Sequence, residues 1–444
     1  MEIATRELDA NLILILFSLK KNFNVFIGDS STYRFMLDKK LLQPGIVLTK
    51  SVTHGKLKSR LHDSFKTQGF TLTTLDHEHG ILDDLDYNKF FIKSRIEKRE
   101  LEKFDAFFCW GTYDYKKLRK SFPHYKNKFF LTGSNRVDAW KNTQKVNFID
   151  NKYKKKIAIF TNFALSNNKH GEKKYFKLKD KAGFYVRCPE LFHKDKLFLK
   201  YQKKNIKKFL ELVNYLPQAY PEYCFYLKPH PVENNIYWKE KIIKRENLKI
   251  VNPENSSSLI KFCDLVIQTR CTTSIESSIN SIKNINFIPV KNDHGFGKFV
   301  DKISYNAKNK LEVIKLIDYL FKVKKNNIKK FKILNSRVLF MKKKSSSENI
   351  TLIFDKLSKK IKHDYFRSLK YIKFYLFLHE TYNQLKSELY NLIYNYKNVN
   401  EYKFPIMKKS QIGEKILRYS KIYKIKNNFK IIKLGKRFWL FKSL

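Results

Sequence analysis

No apolar run in the sequence approaches the roughly 20 residues that a membrane-spanning helix needs. The longest candidate, Ile13 to Phe17, reads as one buried helix face. The first residues are acidic and polar rather than basic and then apolar, so no export signal is expected, and the expected location is the cytoplasm, soluble or peripheral to a membrane. Five cysteines, Cys109, Cys188, Cys224, Cys263 and Cys271, are odd in number, scattered and without a Cys-x-x-Cys pair. That pattern speaks against a disulfide framework or zinc site and for reduced core thiols. Internal repeats are not apparent. Acidic residues are few: 41 Asp or Glu stand against 91 Lys or Arg, a formal charge of +50.

Such a surplus invites anionic partners: nucleic acid, phospholipid or phosphorylated substrates. Abundant lysine, asparagine and isoleucine are also what an AT-rich coding sequence yields, so charge alone names no partner. A nucleic-acid binder would show a basic stripe or a known module, and neither is evident, which leaves nucleic acid the weaker alternative. From Ile361 to Leu444 there are 19 Lys or Arg against 5 Asp or Glu, interleaved with Tyr, Phe and Trp. A basic aromatic tail of this kind suits the anionic inner face of a plasma membrane.

Along the chain, helical spacing from Arg6 to Lys20 is followed by short strand-like runs, "NVFIG", "GIVLTK", "FTLTTLD", "DAFFCWG" and "KFFLTG", with helix-like segments between them. After the polar bridge "KNTQKVNFIDNKYKKK" a second series begins with "IAIFTNF". It continues through a helix around Ile206 to Leu216, "YCFYLK", "NLKIVNP", "DLVIQT", a helix over Thr273 to Ser281, and "NINFIPV". Strands alternating with helices predict parallel sheets covered on both faces. The expected fold class is therefore α/β, with two Rossmann-like domains over residues 1–145 and 155–325, and a helical, basic extension over residues 326–444. A ligand cleft between the two domains is the default site.

Candidate chemistry gathers in the second domain. Lys-Pro-His-Pro puts Lys228 and His230 on a stiff, non-helical turn at a strand end, because proline fixes φ and biases its predecessor towards extended geometry. Downstream, Ser256 to Ser258 and Thr272 to Ser274 stand at two helix starts, where hydroxyls and outward amides suit a phosphate. Glu276 fits either a ribose contact or a capping box with Thr273. Thr161, Asn162 and Asn168 lie near another strand end. In the first domain "TLDHEHG" offers Asp76 and Glu78 as general bases. His77 and His79 beside them suggest metal, but no further ligand is spaced to complete a site, and Asp84 and Asp86 read as a surface turn, so neither metal nor cofactor is expected.

Seven segments in order, "RELDANLILI", "LDHEHG", "CWGTYD", "LTGSNRVDAW", "IFTNF", "LKPHP" and "DLVIQTRCTTSIES", resemble bacterial surface carbohydrate biosynthesis proteins related to glycosyltransferases of GT-B architecture. "LKPHP" and the Ser/Thr-rich segments also look like the motifs with which CMP-dependent sialyl- and Kdo-transferases hold CMP. The resemblance implies a donor of the nucleotide-sugar type, CMP-linked by preference, and a glycan or lipid-linked glycan acceptor. Another nucleotide-sugar, or a CDP-glycerol-type donor, is the alternative within the same cleft. Carried over, Lys228 and His230 contact the phosphate, Ser257, Thr273 and Ser274 support it together with Thr272, and Asp76 or Glu78 deprotonates the acceptor. The family pattern has consecutive acids before the glycine, which His77 and His79 interrupt here, and a strand before the Arg-Glu-Leu helix, at whose edge this sequence begins.

Overall fold

Apolar residues on nearly every side of the first helix, α1 (Ala4–Leu19), set the arrangement of the amino-terminal lobe. Leu8, Leu12, Ile13 and Leu16 are all buried, as a helix without a polar face must be. In the computed structural model, residues 4–53, 55–76, 91–148, 152–253, 255–291, 297–323, 328–340, 344–361, 367–394 and 405–444 are described. Strands β2 (Ile46–Thr49), β3 (Thr71–Thr74), β4 (Ala106–Cys109) and β5 (Phe129–Leu131) form a parallel sheet in that order. Helix α2 (Ser30–Asp38) precedes β2, α3 (Lys56–Thr67), α4 (Lys98–Lys103) and α5 (Thr112–Ser121) run between the strands, and α6 (Asn135–Asn142) follows β5.

"NVFIG" does form a strand, β1 (Val25–Gly28), yet it stands outside that parallel sheet. It pairs antiparallel with a strand from the far end of the chain, in a separate three-stranded sheet. A cavity of about 690 Å3 lies between β1 and β2, walled by Leu14, Phe26, Leu48, Phe354 and Leu440.

The second lobe is a six-stranded parallel sheet in the order β11-β10-β9-β6-β7-β8. Its strands are β6 (Lys155–Phe160), β7 (Tyr223–Lys228), β8 (Leu248–Ile250), β9 (Leu265–Gln268), β10 (Lys283–Phe287) and β11 (Tyr305–Ala307). Covering helices are α7 (Glu172–Lys181), α8 (Glu190–Ala219), α9 (Asn235–Lys241), α10 (Ser256–Phe262), α11 (Thr273–Ile279), α12 (Lys298–Ile303) and α13 (Lys310–Lys322). Two parallel α/β layers thus match the expected fold class. Helix α8 begins well before the apolar period around Ile206. Its first half buries Asp195 and Gln202, and polar residues on a buried face hide the helical period.

Residues past Lys325 form helices α14 (Ile328–Arg337), α15 (Ser346–Ser358), α16 (Leu369–Tyr394) and α17 (Lys409–Tyr423), as the helical extension predicts. A hairpin of β12 (Phe429–Gly435) and β13 (Phe438–Ser443) then closes the chain, and β13 is the partner of β1. The extension packs largely on the first lobe: Ile372, Leu376, Leu434 and Phe438 belong to its core. Asp138, from the "LTGSNRVDAW" segment, accepts hydrogen bonds from Ser346 N (3.0 Å), Ser347 N (2.7 Å) and Ser347 Oγ (2.6 Å), holding the start of α15. Gly111, from "CWGTYD", lies so near α14 that a Cβ there would stand 2.3 Å from Ser336 O.

Gly111→Ala should therefore lower stability by about 1–3 kcal/mol through overpacking against backbone, read as a lower urea midpoint. Burial pushes the Asp138 carboxyl up from 3.8 to about 6, against the pull of its Ser347 and Ser346 partners. Between those values the folded chain keeps a proton that the unfolded chain has released. Stability should fall as pH rises from about 4 through about 6, by up to about 3 kcal/mol, and Asp138→Asn should flatten that slope in urea titrations at several pH values.

Candidate functional site

Three strands end at one level on the carboxyl edge of the second sheet. Phe160 is in register with Lys228 on one side and with Gln268 on the other. The chain leaves β6 towards β7 but reaches β9 only after β8, so the loops after β6, β7 and β9 meet where the strand order reverses. Open α/β sheets bind ligands at this crevice.

The Lys-Pro-His-Pro turn follows β7 and is fixed by a buried carboxylate two residues beyond it. Glu233 accepts from Thr161 Oγ1 (2.7 Å), Phe163 N (2.7 Å) and Trp238 Nε1 (2.8 Å). Thr161 Oγ1 in turn accepts from His230 N at 3.0 Å. Burial raises the Glu233 carboxyl, opposed by these donors. Val232 N donates to His230 Nδ1 at 3.3 Å, so in the neutral ring the proton resides on Nε2. His230 is half-buried and can present that N–H to an anion.

Lys228, Ser257 and Glu276 come together. Ser257 Oγ donates to Glu276 at 2.7 Å, and both residues are buried. Burial raises the Glu276 carboxyl, countered by Ser257 and by the charges of Arg136 and Lys228. Burial also lowers the Lys228 ammonium, countered chiefly by Glu276. In both groups desolvation outweighs attraction, as for charges withdrawn from water. The helix carrying Ser257 is capped by Asn255, whose side chain accepts from Ser257 N.

Of the remaining predicted residues, Ser274, Asn162 and Asp76 bond to other parts of the fold. Ser274 Oγ donates to Cys271 O at 2.8 Å. Thr273 is buried with the Cys271 thiol beside it. Thr272 precedes α11 without a side-chain cap, and Glu276 forms no capping box with Thr273, because its carboxylate turns to Ser257. Asn162 Nδ2 donates to Arg270 O at 3.0 Å, tying the β6 loop to the β9 loop. Asp76 is buried in the first lobe, where Arg95 donates to both carboxylate oxygens (3.0 and 3.1 Å) and Trp110 Nε1 donates to Asp76 O (2.7 Å). Glu78, His77, His79, Asp84 and Asp86 lie outside the described residues.

Four residues enter the site that sequence reasoning did not single out: Glu233, Arg136, Arg95 and Arg270. Arg136 projects from α6 of the first lobe, with its Cζ 4.9 Å from the Trp140 ring centre and 5.9 Å from that of Trp110. Its charge reaches Glu276 across the lobe boundary. Trp110 thereby links Asp76 to the second lobe's polar cluster, and Ile275 and Ile279 of α11 pack with Trp110, Val137 and Trp140. Arg270 has a left-handed φ of 44°, a strained backbone held by an ion pair to Asp301 (2.9 Å) and a hydrogen bond from Arg270 N to Asn286 (2.9 Å). The signals in sequence are slight: Glu233 follows His-Pro-Val, and Arg136 lies within "GSNRVDAW". No group of three or more His, Cys, Asp or Glu suited to a metal occurs among the described residues.

No family model matches the chain. No curated protein matches it either. Solved structures similar to it include a Staphylococcus aureus MnaA–UDP complex at 13% identity and TM-score 0.44, covering 81% of this chain and 84% of that one. A Neisseria meningitidis UDP-GlcNAc 2-epimerase bound to UDP-GlcNAc aligns at 13% identity and TM-score 0.44, over 80% and 82%. The wall teichoic acid polymerase TagF aligns at 12% identity and TM-score 0.41, over 71% and 72%. Similarity of this order assigns neither activity nor substrate, and the architecture rests on the strand order described above.

Removing the Glu233 side chain would leave three donors around the His230 turn without their acceptor. Glu233→Ala should cost on the order of 3 kcal/mol in equilibrium urea unfolding, and Glu233→Gln less than half of that, because the amide oxygen still accepts.

Proposed function

We propose that the protein is a metal-independent glycosyltransferase of bacterial surface polysaccharide or lipopolysaccharide synthesis. Its donor is a sugar activated by a nucleotide, CMP by preference, and its acceptor a glycan or lipid-linked glycan. One observation carries this reading: Lys228 ends β7, His230 has Nε2 as its donor on the turn after it, and Ser257 and Glu276, bonded to one another, stand on the helices that follow β8 and β9, with the charge of Arg136 of the other lobe reaching Glu276. Breaking a sugar–phosphate bond builds negative charge on the departing phosphate. Fixed cations and N–H donors in a water-poor site lower that barrier.

In this reading Lys228 and His230 hold the phosphate, Arg136 adds charge from the opposite lobe, and Ser257 and Glu276 position the nucleotide. The acceptor hydroxyl gives its proton to Asp76 or Glu78, and transfer proceeds with inversion. The buried site disfavours the charged forms of both Lys228 and Glu276, and a phosphate would supply Lys228 with a second counter-charge. The basic carboxy-terminal region keeps the enzyme on the anionic inner face of the plasma membrane.

A melting-shift panel tests the donor class. CMP should stabilise the protein by about 2.7 kcal/mol at 100 times its dissociation constant, and by more than UDP or GDP does at the same concentration. His230→Ala should weaken that protection about tenfold or more and abolish transfer, as loss of a charge-facing donor does. A larger shift with UDP would replace the CMP preference, and indifference to every nucleotide would overturn the reading.

A further inference from the structure

Helix α16 is apolar on two faces, and the described residues cover only one of them. The inner face of its first half is anchored: Ile372 and Leu376 are buried in the first lobe's core, and His379 stacks on Phe35 with ring centres 3.9 Å apart. The β12–β13 hairpin flanks the same half, where Lys436 N donates to Glu380 and Lys436 Nζ to Gln384 at 2.8 Å. The outer face is different. Phe374, Leu378, Leu385, Leu389 and Leu392 recur at helical spacing, forming one stripe with Phe377 and Tyr382 on its borders. Phe377 is 65% exposed, Leu385 62% and Leu392 84%.

We propose that this stripe inserts shallowly into an anionic bilayer surface, with α16 lying in the membrane plane. The inference deepens the peripheral part of the reading above and is independent of which nucleotide the other lobe binds. Three observations choose this occupant. First, helical geometry puts Lys373 and Lys386 on opposite margins of the stripe, where long side chains can extend to phosphates while their methylenes follow the apolar surface. Second, Lys433 and Lys436 of the hairpin act electrostatically on Glu380, so further cations lie alongside the helix. Third, each chain carries +50, and two copies face to face would repel one another where an anionic leaflet attracts. No helix among the described residues is long and apolar enough to cross a membrane, so the stripe is suited to lie on the surface rather than to span it.

Vesicle co-sedimentation of the full chain tests this. Binding to phosphatidylglycerol-containing vesicles should exceed binding to pure phosphatidylcholine vesicles, and the triple variant Phe377→Gln, Leu385→Gln, Leu389→Gln should bind the former about tenfold or more weakly, as loss of buried apolar area requires. Its melting temperature and nucleotide shift should stay as in the parent, which separates this test from the fate of the transferase reading. A second measurement uses Leu385→Trp. The four native tryptophans, Trp110, Trp140, Trp238 and Trp439, are all buried, so a blue shift on adding anionic vesicles would report the new indole entering the bilayer. Parent-like vesicle binding by the triple variant, or an unshifted emission from the Leu385→Trp variant, would overturn the proposal. So would a concentration-dependent dimer that the triple variant abolishes, which would assign the stripe to a second copy of the chain.

Discussion

The buried carboxylate of Glu276 is the point on which the two lobes and the candidate site converge. It lies on a seven-residue helix, accepts from Ser257 of the preceding helix, and shares the fields of Lys228 and of Arg136. Burial disfavours its charged form, and Ser257 with the two cations opposes that shift. Those partners bring the end of β7, the start of α10 and the first lobe's α6 together around it. The apolar contact of Ile275 and Ile279 with Trp110 and Trp140 supplies the packing beneath it.

A second buried carboxylate does the corresponding work within the second lobe. Glu233 gathers Thr161, Phe163 and Trp238 about the Lys-Pro-His-Pro turn, and Thr161 in turn receives the amide of His230. Proline makes the turn stiff, whereas Glu233 determines where it stands. The imidazole reaches the sheet edge with Nδ1 already accepting from Val232, which leaves Nε2 as the donor. Preorganisation of this kind is what a site stabilising developing phosphate charge requires.

The carboxy-terminal region has a double character. Its inner surfaces complete the first lobe: β13 pairs with β1, Ser346 and Ser347 rest on Asp138, and Ile372 and Leu376 enter the core. Its outer surface retains exposed phenylalanine and leucine beside lysine. A segment that is basic and aromatic in sequence is thus partly structural and partly a face that the described residues leave exposed. Composition alone could not separate the two, because both uses draw on the same residue types.

Local rules in the sequence determined the strand and helix alternation, the parallel sheets, the rigidity of the turn at His230 and the helix starts near Ser257 and Thr273. Each depends on the period of apolar residues or on the backbone restrictions of proline and hydroxyl-bearing residues, which act over a few positions. Only the tertiary structure decided that Ser257 serves Glu276, that Ser274 bonds back to its own turn, that Arg136 reaches across from the other lobe, and that "NVFIG" pairs with a strand at the far end of the chain instead of joining the parallel sheet. These outcomes turn on which buried polar groups meet which donors, and on which strand edge lies nearest. Such partnerships join residues far apart in the chain and leave no periodic trace in it.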